Sequence, residues 1–219
     1  MENVNHYGQW GIVLISITFV AWLMFKFLRP EKKVEWRNSG ILGAFIIALY
    51  VEMYGFPLTI YILSSVFGID IPFVHIKGHL WASLFGWGTT GAIVEMLIGY
   101  SIMLIGGFLI IAGWKKIYHV KDELVTGGIY RYIRHPQYTG ILLITFGMLI
   151  HWPTFITLFM WPILVLAYYG LAKKEEKEIE KKFGEIYQEY KSRTPMFFPS
   201  LKILFAKQKV AVEKSLEKL

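Results

Sequence analysis

The sequence contains no cysteine, and its charged residues are few and confined to short blocks. The absence of cysteine excludes disulfide bonds, thiolate metal ligands and cysteine nucleophiles, and no metal site is expected. Only 18% of the 219 residues are charged, whereas 55% are hydrophobic, and the stretch 41–67 carries one formal charge, Glu52. A soluble domain spreads charge over its surface, so this distribution indicates a membrane protein.

Five apolar runs follow one another along the chain. Three are long enough to cross a membrane as helices, at about 20 residues each: 10–28, 40–65 and 92–112. Two shorter runs, 138–150 and 154–170, predict a tight helical hairpin. The expected fold class is therefore all-α: a polytopic membrane helix bundle with about five transmembrane helices, a C-terminal hairpin and a polar cytoplasmic tail.

The distribution of basic residues predicts the orientation of the chain. With five spans, 22 of the 23 Lys and Arg residues fall on one side of the membrane, and Lys77 alone falls on the other. The positive-inside rule then places the N-terminus outside and the C-terminus in the cytoplasm. The net charge of +7 fits a basic face beside anionic lipids, so no nucleic-acid partner is expected, and no obligate protein partner is evident.

The loop 126–140, TGGIYRYIRHPQYTG, is the densest group of unusual residues. Two adjacent glycines permit tight turns, and Pro136 fixes φ where the hairpin begins. Arg134 and His135 are thereby presented at the N-terminus of a membrane helix, whose amides favour an anionic group. Taken singly, each of these residues is also typical of an ordinary juxtamembrane segment.

An acidic pair, Glu175 and Glu176, lies where the hairpin returns to the same side of the membrane. Because the two ends of a hairpin meet, this pair is expected to face Arg134 and His135. A fixed carboxylate opposite a cation and a helix N-terminus matches the zwitterion of an amino acid. Neighbouring acids such as Glu178 are typical of a solvated helix face instead.

Four blocks in order carry a family resemblance: LVTGGIY, RHPQYTG, the Glu-Glu pair and FGEIYQEY. They resemble the isoprenylcysteine carboxyl methyltransferase family and its prokaryotic relatives over about residues 122–199. The resemblance implies an integral-membrane methyltransferase that uses S-adenosylmethionine, most simply a carboxyl O-methyltransferase. It divides the single structural domain into N-terminal transmembrane helices (1–113), a cofactor-binding region with the hairpin (114–200) and a cytoplasmic tail (201–219).

The resemblance also implies roles for individual residues. Three of them, Arg134, His135 and Glu176, are the expected catalytic residues. The expected cofactor contacts are Lys115, Asp122, Glu123, Leu124, Val125, Tyr130, His135, Pro136, Gln137, Tyr138 and Glu175.

The chemistry requires little from the protein, because the cofactor supplies the reactive methyl group. A carboxylate acceptor is already ionised and needs positioning and removal of water, whereas an amine or thiol must lose a proton. A lipophilic acceptor is expected to enter from the bilayer, with membrane lipids as the other partners. The family's arginine thought to hold the substrate carboxylate is replaced here by Leu171, so the acceptor stays open.

Two other enzyme classes remain as alternatives. One is a phospholipid or small-amine N-methyltransferase, which has a similar hairpin and acidic pair. The other is an NADPH-dependent sterol-type membrane reductase, which shares the Arg-His-Pro-x-Tyr motif. A non-enzymatic membrane protein is a third possibility. Glu52 and Glu95 lie inside apolar runs and are functional candidates by default, unless each pairs with a tyrosine or lies near the outer interface.

Overall fold

A computed structural model describes residues 8–27, 33–69, 79–117, 120 and 123–199 of the chain. Over these residues the protein is helical, without β-strands, and the all-α prediction is confirmed. The α-helices, with a π-helical turn after α2 and a 3₁₀ turn before α6, are α1 (Trp10–Phe27), α2 (Lys33–Tyr50), π turn (Val51–Gly55), α3 (Leu58–Phe67), α4 (Leu80–Leu84), α5 (Gly88–Ile117), 3₁₀ turn (Gly128–Arg131), α6 (Pro136–His151), α7 (Phe155–Phe183) and α8 (Glu185–Arg193).

Among the described residues, three helical segments are long and apolar enough to cross a membrane: Trp36–Gly55, Gly88–Ile117 and Phe155–Phe183. Large apolar side chains on α5 remain exposed, as in Leu104 at 75% and Ile111 at 68%. A soluble protein would cover such a surface, so the helices indicate an integral membrane protein. The count of five spans and the orientation of the termini stay predictions, and the tail 201–219 lies outside the described residues.

The second predicted span is not one continuous helix. It is interrupted at Phe56 and Pro57, between the π turn and α3. Proline lacks a backbone N–H and forces the preceding residue out of the helical region, and Phe56 accordingly has φ −123° and ψ 115°. The expectation of a single helix over 40–65 was therefore wrong, because Pro57 overrides the apolar pattern.

The two acids inside apolar runs accept hydrogen bonds from the first turns of helices. The backbone N–H of Thr59 in α3 donates to Oε2 of Glu52 at 2.8 Å. The N–H of Ala82 in α4 donates to Oε2 of Glu95 at 3.1 Å, and Nδ1 of His79 lies 3.4 Å from its other oxygen. These contacts satisfy helix amides that hydrocarbon would leave without a partner. Both acids therefore have a structural role.

The described chain forms two compact units. Residues within Met1–Leu104 and Leu143–Leu171 form the first, which contains an apolar core around Leu49, Met53, Ile60, Leu63 and Trp152. Residues within Ile105–Leu142 and from Ala172 onward form the second. The second unit contains the end of α5, the Gly-rich loop, the start of α6, the charged extension of α7 and α8, and it carries the predicted site.

Glycines allow α5 and α6 to approach closely within the second unit. A Cβ atom added to Gly140 would lie 2.5 Å from the carbonyl oxygen of Gly106 and 2.6 Å from the Ile110 side chain. Small residues at such crossings let helix backbones pack in membranes, where van der Waals contact replaces the hydrophobic effect. The carbonyl oxygen of Gly106 belongs to the backbone of α5, so it cannot move aside as a flexible side chain would.

We expect Gly140→Ala to lower the free energy of unfolding by about 1–3 kcal/mol, because overpacking outweighs the gain in helix propensity. Gly107→Ala is the matched control, since a Cβ there meets no heavy atom within 4 Å. Thermal unfolding of both variants in detergent checks the prediction. Equal midpoints for the two variants would contradict the close helix contact.

Candidate active site

The Arg-His-Pro loop is held by the segment that follows α8. The backbone N–H of Arg134 donates to the carbonyl of Pro195 at 3.0 Å, and that of His135 donates to Met196 at 3.1 Å. Helix α6 then begins at Pro136, where the missing N–H costs nothing. The segment after α8, about 60 residues further along the sequence, therefore fixes the backbone of the loop.

Arg134 and Glu176 form a buried ion pair. Nε and Nη2 of Arg134 both lie 2.8 Å from Oε1 of Glu176, whose side chain is 1% exposed. Nη1 donates to the carbonyls of Lys191, at 3.0 Å, and Thr194. Lys191 also brings its ammonium group to 3.6 Å from Oε2 of Glu176. One guanidinium thus joins the loop, α7 and the end of α8.

His135 lies between the two members of the acidic pair. Its Nε2 is 3.2 Å from Oε1 of Glu176, and its Nδ1 is 3.7 Å from Oε2 of Glu175. The ring stacks on Tyr138 with centroids 5.5 Å apart, and the Tyr138 hydroxyl donates to Glu175. The structure therefore brings together the catalytic residues predicted from the sequence, along with Glu175.

A cavity of about 190 Å³ adjoins this cluster within the second unit. Its wall is largely apolar and aromatic, with Glu123, Arg134 and His135 as the ionisable groups other than tyrosines. The lining residues are Ile117, Val120, Glu123, Leu124, Val125, Tyr130, Arg134, His135, Ile179, Phe183, Tyr187 and Tyr190. Five of the predicted cofactor contacts are among them.

The other predicted contacts lie outside this wall. Gln137 donates to the Tyr130 hydroxyl at 2.7 Å and so holds a lining residue in place. Lys115 is exposed in the last turn of α5, and Asp122 lies outside the described residues. Pro136, Tyr138 and Glu175 support His135 from the start of α6 and from α7.

Two tyrosines of α8 belong to the site but were not predicted from the sequence. Tyr187 is 2% exposed, and the hydroxyl of Tyr190 donates to the carbonyl of Tyr130 at 2.6 Å. Gly184, with φ +54°, lets the chain turn between α7 and α8 and bring these rings to the cavity. The FGEIYQEY block, which is part of the family resemblance, could have indicated them, because both tyrosines lie in it.

Burial raises the pKa of Tyr130, Tyr187 and Tyr190 well above the ordinary value for tyrosine. Their hydroxyls therefore stay protonated at physiological pH. They add hydrogen-bonding and apolar surface to the cavity without adding charge.

Comparison with known proteins connects this geometry to a family. Residues 91–186 match the family model described as phospholipid methyltransferase. The chain is similar to known methyltransferases. It is 28% identical over 206 residues to a methanethiol S-methyltransferase of a Pseudomonas species, covering 76% of this chain and 75% of the relative. The predicted resemblance is confirmed.

One plant protein and one yeast protein show the same similarity. Protein-S-isoprenylcysteine O-methyltransferase B of Arabidopsis thaliana is 29% identical over 153 residues, 69% of this chain and 76% of the relative. Protein-S-isoprenylcysteine O-methyltransferase of Schizosaccharomyces pombe is 30% identical over 81 residues, 36% of this chain and 34% of the relative. The comparisons give the reductase alternative no support.

The region that matches the family model ends just before the tyrosines of α8. Residues 91–186 include the Arg-His-Pro loop and both acids of the pair, whereas Tyr187, Tyr190 and Lys191 lie beyond it. Both members of the buried ion pair lie in the matched region, and the contacts of Arg134 with the carbonyls of Lys191 and Thr194 join that region to the segment beyond it.

We expect Arg134→Lys to lower the free energy of unfolding by about 2–4 kcal/mol. Lysine keeps the charge but cannot contact Glu176 and two carbonyls at once, so buried acceptors lose their partners. Arg193→Lys is the control, because Arg193 is 75% exposed and pairs with exposed Glu189. Denaturation in detergent measures both, and an equally small loss in the two variants would refute the anchoring role.

Proposed function

We propose that this protein is an integral-membrane, S-adenosylmethionine-dependent methyltransferase that acts on a lipophilic acceptor. The observation that carries the proposal is the cavity of about 190 Å³, whose wall includes five of the residues that the resemblance assigns to the cofactor. The relationship to named methyltransferases supports the same reaction class.

The residues around the cavity fit the chemistry of this cofactor. S-adenosylmethionine has a flat apolar purine at one end and an amino acid group beside a sulfonium cation at the other. The apolar and tyrosine side chains of the wall suit the purine, and Glu123 supplies negative charge on the wall. Glu175, partly exposed beside His135, is the second acid that would attract the cationic end.

When bound, the cofactor supplies an electrophilic methyl group. The chain must hold its partners in line and keep water out. His135 lines the cavity and is the residue we assign to contact with the reactants. Arg134 and Glu176 are positioning residues in this proposal, because their contacts fix the loop and the imidazole.

The similarities differ in the chemical class of the methyl acceptor. Resemblance to the isoprenylcysteine enzymes favours a lipophilic carboxylate, and the similarity to a methanethiol S-methyltransferase favours a thiol. A phospholipid or small amine is the further alternative, from the family that matches residues 91–186. In each case we propose that the acceptor enters from the bilayer while the cofactor arrives from the cytoplasm.

Calorimetry with the detergent-purified protein tests the cofactor assignment. We expect saturable binding of S-adenosylmethionine, weakened at least about tenfold by Leu124→Trp, because the larger ring fills the cavity. Ile186→Trp is the control: Ile186 is 68% exposed on α8 and does not line the cavity. Absence of binding to the unmodified protein, or equal binding by both variants, would overturn the assignment.

A further inference from the structure

A second cavity lies in the first compact unit, beside the break between the π turn and α3. Its volume is about 10 Å³, which is room for one water molecule or one unhydrated ion of similar size. The side-chain oxygens on its wall belong to Glu52, Thr59 and Thr154, and none of the described residues on the wall is basic. A ligand of this cavity must therefore be very small and must suit oxygen atoms.

Glu52 has one carboxylate oxygen that the described part of the chain leaves without a partner. Oε2 accepts the backbone N–H of Thr59 at 2.8 Å, whereas Oε1 has no hydrogen-bond partner, although the residue is only 3% exposed. Protonation of Oε1 would not resolve this, because the new O–H would itself lack an acceptor. A buried ionised carboxylate instead requires a positive partner.

Helix dipoles do not supply the missing charge. The N-terminus of α3 directs partial positive charge at Glu52, about half a unit for a helix end. Glu52 itself lies in the π turn that ends the preceding helical segment, and the carbonyl end of a helix carries an opposite partial charge of about the same size. The two helix ends oppose each other, so the full negative charge of the carboxylate remains to be balanced.

The break in the helix also frees backbone oxygen. The N–H of Phe56 donates to the carbonyl of Val51 at 2.8 Å. Pro57 has no N–H, and the N–H of Leu58 donates to the carbonyl of Phe56 at 2.9 Å. The carbonyl of Glu52 consequently receives no N–H from the residues that follow the turn. Freed carbonyls and helix C-terminal ends at broken membrane helices are ligands for Na⁺ in transporters.

Two threonine hydroxyls complete the set of oxygens. Thr59 Oγ1 accepts the backbone N–H of Phe155 at 2.9 Å, and Thr154 Oγ1 accepts that of Thr157 at 3.1 Å. A hydroxyl oxygen has two lone pairs, so Thr59 keeps one for a ligand in the cavity. Carboxylate, carbonyl and hydroxyl oxygens are hard ligands, which suit alkali and alkaline-earth cations.

We propose that this cavity binds one small monovalent cation, Na⁺, between Glu52, Thr59 and Thr154. One positive charge balances the single carboxylate, whereas Ca²⁺ and Mg²⁺ take more oxygen ligands or keep several waters. The absence of cysteine excludes thiolate metal ligands, and an alkali ion uses none. The bound ion would join the break before α3 to the connection between α6 and α7. The inference goes beyond the proposed function and does not depend on it.

Binding of radioactive Na⁺ to the detergent-purified full chain tests the proposal. The buffer is mildly alkaline and of fixed ionic strength, with N-methylglucamine as the replacement cation, which is too large for the cavity. We expect saturable binding of about one Na⁺ per chain, weakened at least about tenfold by Glu52→Gln. Glutamine removes the negative charge but keeps an oxygen that can accept the Thr59 N–H, so the start of α3 is retained.

Glu95→Gln is the matched control. Glu95 is also buried and accepts a helix N–H, from Ala82, but its second oxygen lies 3.4 Å from Nδ1 of His79. Sodium binding should therefore survive in this variant. Equal losses in Glu52→Gln and Glu95→Gln, or no saturable binding by the unmodified protein, would overturn the proposal and leave the cavity to a water molecule.

Thermal unfolding gives a second readout of the same site. An ion that binds only the folded chain stabilises it increasingly with its concentration. We expect the unfolding midpoint of the unmodified protein to rise by about 5–10 °C between sodium-free buffer and a Na⁺ concentration about 100 times the Kd. The midpoint of Glu52→Gln should not respond, and an equal rise in that variant would refute the assignment. Neither measurement involves the cofactor, so its outcome is separate from that of the proposed function.

Discussion

The buried ion pair between Arg134 and Glu176 is the contact on which the rest of the site depends. Removing two charges from water costs several kcal/mol for each ion, and the attraction between them offsets this cost only when the remaining donors and acceptors are also satisfied. Here the guanidinium reaches Glu176 and two backbone carbonyls, and the carboxylate reaches Arg134, His135 and Lys191. The geometry of the imidazole is therefore a consequence of the ion pair.

Much of this arrangement could be predicted from the sequence because it depends on local signals. Pro136 defines the start of α6, and a tight connection makes the two ends of the hairpin meet, so Arg134, His135, Glu175 and Glu176 converge. The interruption of the second apolar run could also have been expected, because Pro57 is a local signal. An apolar run predicts that a segment lies in the membrane, but it does not predict that the segment is one continuous helix.

The contribution of α8 could not be predicted in the same way. Its tyrosines reach the cavity because Gly184 adopts a positive φ and because Arg134 holds the carbonyls at the end of the helix. Both conditions depend on long-range contacts, and a charged helix followed by tyrosines is equally typical of a solvated surface. Hydrogen bonds such as that from Tyr190 to Tyr130 appear only once the chain has folded back.

Charge balance within the ion pair limits what Arg134 can contribute to binding an acceptor. The Arg134 charge is neutralised by Glu176 within the protein, so this part of the site fixes geometry without selecting an acceptor by its charge. His135 lies between two carboxylates at the edge of a cavity whose wall is largely apolar and aromatic. Selection among methyl acceptors must therefore depend on side chains other than this ion pair.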